Sequence, residues 1–386
     1  MKLRAAGWSV VAGAMWQMHA PEAQAAAELS GQFRNLLYVA QRGDVAGPGS
    51  WNGLRLDIQS ASSDERVRFR GSIDLSYGFG DAQMLQLAQD LTLPEGLAGS
   101  RLNLDLFRAY LQVRGLESRA ELTLGRQRLA WGTGLVLRPT DAFEPTDLFD
   151  PYRELHGVNA LRFTMPISGS LYLDGVARLD DASSLFQLGM QAGVQVPSLE
   201  VQASVVHDGI HGREQIGLAL RKNRGLNLWF DGVVRVQNDS FSSPYDDADL
   251  STLLEMGSGY TFAVGRGLTV ELEYLYLSNG DSFGGGNDLQ EAVRDYRVLQ
   301  GQHYGYLSTL LEVKERLSVQ LGVLINALDG SLVVQPRIIG RPLDTLELSL
   351  GAQLFVGSNG DEFARGDLEQ EGDGAALYYA QTTWYF

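Results

Sequence analysis

Along most of the chain, apolar and polar side chains alternate residue by residue. A period of two marks a strand with unlike faces, because successive side chains leave opposite sides of an extended backbone. In 184–196, Phe186, Leu188, Met190, Ala192, Val194 and Val196 form one set, and Gln187, Gly189, Gln191, Gly193 and Gln195 form the other. In 344–357, Leu346, Leu348, Leu350, Ala352, Leu354 and Val356 oppose Glu347, Ser349, Gly351 and Gln353. The pattern predicts strands near 29–41, 51–61, 65–79, 102–114, 117–130, 157–166, 169–180, 184–196, 198–208, 212–222, 225–237, 250–263, 267–278, 302–314, 316–327, 331–340, 344–357 and 374–386. That is eighteen strands, with sixteen as the alternative count, and an even number places both ends of a single-chain barrel on one side.

The connections separate a membrane barrel from a soluble sandwich. Gly43–Ser50, Gly80–Arg101, Asp239–Asp249, Asn279–Gly301 and Ser358–Asp373 are long. Gly115-Leu116, Ile167–Gly169, Gly265–Gly267 and Lys314–Arg316 are short. Every long connection falls at the same end, as in transmembrane barrels, which pair short periplasmic turns with long outer loops. The apolar sets reach the ~9–11 residues of a tilted membrane strand. A closed antiparallel up-and-down barrel satisfies every backbone group and leaves no edge, which lipid requires. The expected fold is all-β.

One stretch breaks the pattern: Leu124 to Gly157, with no alternation from 131 to 156. Arg126, Arg128, Arg138 and Arg153 are interleaved there with Asp141, Glu144, Asp147, Asp150 and Glu154. Pro139, Pro145 and Pro151 remove backbone donors and forbid regular structure. So long an irregular connection is uncommon in a compact fold unless it has a task. The expectation is that 131–156 folds into the cylinder or caps it.

Composition narrows the class. The chain has 386 residues, 31 Lys+Arg, 47 Asp+Glu and no cysteine. The acidic balance argues against a nucleic-acid partner. Without cysteine there is no disulfide or thiolate metal site, which fits export through an oxidising compartment. Residues 1–25 read as a secretory signal: Lys2 and Arg4 open it, an apolar run follows, and Ala23-Gln24-Ala25 is a small-x-small cleavage pattern. Residues 26–386 then form a single domain, the barrel.

The last strand, Gly374 to Phe386, carries Tyr378, Ala380, Thr382 and Trp384 on the face of the terminal Phe386. Here the chain resembles Gram-negative outer-membrane β-barrels of the porin-like families. The resemblance implies an outer-membrane location and insertion by the barrel-assembly machinery, with outer-membrane lipid and lipopolysaccharide as neighbours. Gly125-Arg126-Gln127, Trp131-Gly132 and the Pro139-x-Asp141, Pro145-x-Asp147 repeat also resemble a stretch of porin-like families, in which loops at that place often turn inward and narrow the pore. Trp131 reads equally well as an interfacial anchor.

If the apolar faces meet lipid, the alternate positions line the lumen. Strands two to seven supply mostly arginine there, including Arg55, Arg66, Arg68, Arg70, Arg108 and Arg162. Strands eight to eighteen supply mostly acid, including Asp231, Glu255, Glu271, Glu273, Glu312 and Glu347. A field across an aqueous passage sets ion preference. The expected constriction is of mixed charge: Asp141, Glu144, Asp147 and Asp150 of the segment lie against Arg66, Arg68, Arg70, Arg108 and Arg162, and face Glu271 and Glu273. The expected function is a porin-like channel for passive diffusion of small polar or anionic solutes. The alternatives are a barrel that exports or sheathes a macromolecule, such as a polysaccharide or a periplasmic electron carrier, and a structural or adhesive barrel. A homo-oligomer or a periplasmic partner is compatible with each.

No catalytic constellation, metal site or cofactor is expected. The histidines are His19, His156, His207, His211 and His303, and the last two before His303 flank a hairpin rather than sharing a helix face. The acids of the outer loops, Asp246, Asp247, Asp249, Asp361, Glu362, Asp367, Glu369, Glu371 and Asp373, read as solvated charge, with divalent bridging to lipopolysaccharide as the alternative.

Deleting Phe386, or replacing it with a charged residue, is expected to impair insertion, since the closing strand supplies both an apolar outer face and the assembly signal. The yield of heat-modifiable barrel in outer membranes measures this, and an unchanged yield would contradict it.

Overall fold

The computed structural model describes residues 27–42, 45–62, 64–80, 102–115, 119–136, 138–143, 157–179, 186–209, 212–238, 248–278, 299, 301–358, 361–363 and 375–386. The expected signal, residues 1–25, lies outside them. So do Glu144, Asp147, Asp150, His156 and His211.

Eighteen strands follow in chain order: β1 (Ala27–Arg42), β2 (Val45–Ala61), β3 (Val67–Gly80), β4 (Leu102–Arg114), β5 (Glu121–Gln127), β6 (Val158–Pro166), β7 (Leu171–Leu179), β8 (Phe186–Val196), β9 (Leu199–Asp208), β10 (Arg213–Lys222), β11 (Asn227–Asn238), β12 (Ala248–Phe262), β13 (Leu268–Leu277), β14 (His303–Lys314), β15 (Leu317–Asn326), β16 (Leu332–Leu343), β17 (Leu346–Val356) and β18 (Ala375–Tyr385). Each pairs antiparallel with its neighbours, and β1 pairs with β18 from Gln32↔Tyr385 to Arg42↔Ala375. The sheet is therefore a closed cylinder, with eighteen strands rather than sixteen.

The pleat is inverted relative to a soluble protein. On β10, Gln215 and Ala219 are buried while Ile216 and Leu218 are exposed, Ile216 at 67 %. The same reversal recurs around the ring, with Leu104, Leu161, Met190, Val205, Met256, Leu272, Leu350 and Trp384 all outward and exposed. An apolar belt of this extent far exceeds the few hundred Å² that soluble monomers expose, and lipid is the solvent that suits it. The fold is that of a transmembrane β-barrel.

Two departures from strict alternation shape the lumen. The β3–β4 register shifts between Ser72 and Ile73, so Phe107 is an extra residue opposite the shift. A bulge breaks the period of two, and here it buries both Phe107 and Arg108. The guanidinium of Arg55 lies 3.4 Å above the Phe107 ring centroid, and that of Arg108 at 4.8 Å. The second departure is at the first outer connection. Gly43–Ser50 was expected to be a loop, but β2 begins at Val45 and stays paired with β1, Pro48 opposite Val39. Pairing to β3 starts only at Gly49, so Pro48 sits on an edge stretch, where a missing N–H is tolerated.

The seam is closed by the last residue. Gly31 N–H donates to the Phe386 carbonyl at 2.8 Å, and Phe386 N–H donates to the Gly31 carbonyl at 3.0 Å. A Cβ on Gly31 would meet Phe386 Cζ at 2.6 Å and the Arg55 carbonyl at 2.7 Å. Only glycine leaves room for the terminal ring and the β2 backbone together. Gly31→Val is expected to destabilise the closed barrel by about 1–3 kcal/mol, the usual range for overpacking. A lower temperature for loss of the heat-modifiable form checks this.

Candidate functional site

The chain leaves the wall after Gln127, earlier than the expected strand end at 130, and enters the lumen. Leu129, Trp131, Ala142 and Phe143 pack in one apolar cluster with Ala160, Val176 and Val206, which face inward from β6, β7 and β9. Trp131 is buried, with its ring 4.9 Å from that of Phe143 and at 88° to it. Its Nε1–H donates to Asp174 Oδ2 at 3.2 Å. Trp131 is thus an inner anchor, not an interfacial one. Gly189 on β8 makes the space: a Cβ there would lie 2.6 Å from Phe143 Cζ and 2.7 Å from Trp131 Cη2.

From Trp131 the segment runs along the lumen wall to β13, eight strands on from β5 in the ring, and then returns. Its backbone amides find carboxylates on the way. Thr133 N–H donates to Asp231 Oδ2 at 3.1 Å and Thr140 N–H to Asp231 Oδ1 at 3.2 Å. The Thr140 hydroxyl donates to Asp231 Oδ2 at 3.0 Å. Leu135 and Val136 N–H donate to the two oxygens of Glu273, at 2.5 and 3.0 Å. Trp229 Nε1–H lies between Glu255 Oε1 at 2.7 Å and Glu273 Oε1 at 3.1 Å, holding that carboxylate from behind. Gly132, at φ 90°, lets the chain pass over Asp231, since a Cβ would collide with that carboxylate.

The segment's carbonyls meet arginines. Arg178 Nη1–H donates to the Phe143 carbonyl at 2.8 Å, and Arg138 Nε–H to that of Gly134 at 2.7 Å. Arg235 Nη2–H reaches the Pro139 carbonyl at 3.4 Å. Irregular backbone enclosed in a barrel has to satisfy its polar groups in this way.

These contacts revise the expected arrangement. The described part of the segment lies along the β6–β13 side and is pinned there by acidic wall residues through its backbone N–H groups. Glu273, expected to face the segment across a gap, binds it. Arg162, expected to neutralise the segment's acids, clasps Asp174 of the next strand, Nε to Oδ1 at 2.9 Å and Nη2 to Oδ2 at 2.6 Å. It steadies the described part of the segment through the Asp174–Trp131 bond. Arg66 and Arg68 lie at the periplasmic mouth and pair with acids of their own turn, Asp64 at 3.1 Å and Glu65 at 2.6 Å. The Ser62 hydroxyl and the Arg66 N–H bonded to Asp64 keep that carboxyl below its usual range. Arg70 stands 3.8 Å from Asp57. Arg108 and Asp141 are buried and Glu271 is half-buried.

A second inward feature has no counterpart in the expected site. Tyr38, Trp51, Leu275, Tyr304, Tyr306, Leu324, Phe355 and Leu377 face inward at the outer end of the barrel and form one apolar cluster with Val136 of the segment and Phe363. Residues 361–363, between β17 and β18, fold down onto it. Glu362 accepts from Tyr304 at 2.5 Å and from Asn326 at 2.8 Å, and its N–H donates to Asp329 at 2.9 Å. Glu362 is therefore bound, not the solvated loop charge expected. The signal was present in sequence: Tyr274–Leu277 and the tyrosines at 304 and 306 put large apolar groups at both parities, too many for a wall with one wet face.

No protein-family model matches the chain, and no curated protein does. Among solved structures, the chain is similar to many, including several proteins of Pseudomonas aeruginosa. OccK8 (OprE) is 11% identical with a TM-score of 0.61, covering 93% of this chain and 98% of that one. OccK5 (OpdH) is 12% identical with a TM-score of 0.59, over 93% and 98%. The outer membrane protein OprD is 11% identical with a TM-score of 0.58, over 95% and 96%. The likeness is one of fold: an eighteen-strand closed barrel.

Removing the carboxylate that holds the turn-around should release the segment. Glu273→Leu strands two buried N–H groups, each at about 1–3 kcal/mol, whereas Glu273→Gln keeps one acceptor and should do less. Limited proteolysis of the heat-modifiable barrel is expected to cut within 131–143 fastest in Glu273→Leu, more slowly in Glu273→Gln and least in the parent.

Proposed function

We propose that this chain is an outer-membrane channel of the porin type, a passive route for small polar or anionic solutes. The single observation that carries this is the placement of the segment. Pinned to β6–β13, it spends acidic wall charge on its own backbone and leaves the arginine-bearing wall of β2–β6, with Arg55, Arg70, Arg108 and Arg162, as the path below the outer apolar cluster. An eighteen-strand cylinder is too wide for its own wall side chains to fill, and the inner features draw on β6–β18 and, at the outer end, on β1 and β2. The fold shared with OprD, an outer membrane protein by description, supports the location.

In this reading Arg70, Arg108 and Arg162 form the basic side of the constriction. Glu271, Asp141 and the acids at 144, 147 and 150 form the other, and Arg66 and Arg68 guard the periplasmic mouth. Glu273 belongs to the support of the segment. The mixed charge orients polar solutes, and the excess of arginine along the path favours anions.

Conductance of the purified barrel in planar bilayers tests the proposal. Steady ohmic steps with anion preference are expected, smaller than for an unobstructed cylinder of this size. Deleting 139–150 should raise the conductance and move the selectivity. Arg70→Gln with Arg108→Gln should lower the anion-to-cation permeability ratio several-fold. A silent barrel that opens only with a partner would point instead to export or sheathing of a macromolecule, and a silent barrel with intact loop binding to an adhesive role.

A further inference from the structure

The periplasmic rim carries a feature that conduction does not use. The turns β10–β11, β12–β13 and β14–β15 are consecutive around the ring and bear Lys222, Arg224, Arg266 and Lys314, all exposed. Among the described residues none of the four has a carboxylate partner. Other rim cations do: Arg66 pairs with Asp64, Arg68 with Glu65, Arg114 with Glu121 and Arg341 with Glu347, and Arg316, beside Lys314 on the β14–β15 turn, pairs with Asp344. Glu315 is the one acid in these three turns. In a chain with 47 acids and 31 lysines and arginines, such a run is not a matter of composition.

The turns are held side by side. Arg266 N–H donates to the Glu312 carbonyl at 3.3 Å, and Glu312 N–H to the Gly267 carbonyl at 2.9 Å, which ties the β12–β13 turn to the base of β14. With strands ~4.8 Å apart, successive hairpins stand about 10 Å from one another. The same turns present exposed apolar side chains: Leu226, Phe262, Val264 and Val313, with Tyr260 edge-on to Phe262 at 4.8 Å. An apolar group beside a cation on one short turn fits a single environment, the boundary where acyl chains end and headgroups begin.

We infer that the β10–β15 sector of the periplasmic rim is a binding site for anionic phospholipid headgroups of the inner leaflet, with Lys222, Arg224, Arg266 and Lys314 as the phosphate-binding cations. The apolar side chains set the depth of the turns, and the cations then meet phosphate at its own level. A soluble acidic partner would have no use for Leu226, Val264 or Val313. The site would anchor one side of the barrel more firmly than the other, because the paired cations of β2–β5 and β14–β17 have already spent their charge. The inference rests on the barrel's place in a bilayer and is independent of what the barrel conducts.

The test uses the full barrel in vesicles of phosphatidylethanolamine with phosphatidylglycerol as the minor component. Native mass spectrometry of the released protein counts the lipids each barrel retains. The parent is expected to enrich phosphatidylglycerol over its bulk share, at about fivefold per engaged cation at most. The combined variant Lys222→Gln, Arg224→Gln, Arg266→Gln and Lys314→Gln should fall to the bulk ratio while remaining heat-modifiable. The control Arg66→Gln with Arg68→Gln should keep the enrichment. Equal enrichment in the parent and the fourfold variant would overturn the site. So would retention at the bulk ratio by the parent, whether or not it bound a soluble acidic polypeptide.

Discussion

The constraint on which the interior depends is that irregular backbone enclosed within a barrel must satisfy its amides and carbonyls locally. The segment after β5 meets it with two carboxylates. Asp231 takes three donors from Thr133 and Thr140, and Glu273 takes the N–H groups of Leu135 and Val136. Everything else about the segment follows from those acceptors. Gly132 must lack a side chain to pass Asp231, Gly189 must lack one to admit Trp131 and Phe143, and Trp229 must back Glu273. A carboxylate bonded to backbone N–H groups is among the stronger pairings available inside a protein, which suits it to hold a loop without a partner side chain.

The charges of the lumen are thus divided by task. Carboxylates of β11–β13 support the segment. Arg178 and Arg235 take its carbonyls, and Arg162 fixes Asp174, which in turn takes Trp131. What remains along β1–β6 is a wall rich in arginine, ordered by its own local pairs such as Arg55 with Asp74. The apolar cluster under residues 361–363 takes up inward side chains of β13–β18, β1 and β2 at the outer end.

The wall itself was legible in the sequence. Alternation marks each strand, turn length marks each end, and the count of eighteen follows, because in a membrane barrel one face must be apolar along its whole length. The places where the pattern misled have local causes. A bulge at Phe107 shifts the parity of β4, and proline at 48 suggests a loop where an edge stretch tolerates it. The apolar parity at 275, 277, 304 and 306 was visible, but its meaning depends on what comes down from the outer loops to meet it.

The candidate site was only half legible. The sequence by itself determined that a barrel forms and that one segment cannot join its wall. Those are properties of neighbours along the chain. Only the tertiary structure decided which wall the segment takes. Counting side-chain charges sends its acids to the arginines, but its amides are the groups that most need partners inside the barrel. Asp231 and Glu273, roughly a hundred and more residues away along the chain, provide those partners. That choice is made by closure of the sheet, which brings β11 and β13 opposite β5, and no local pattern records it.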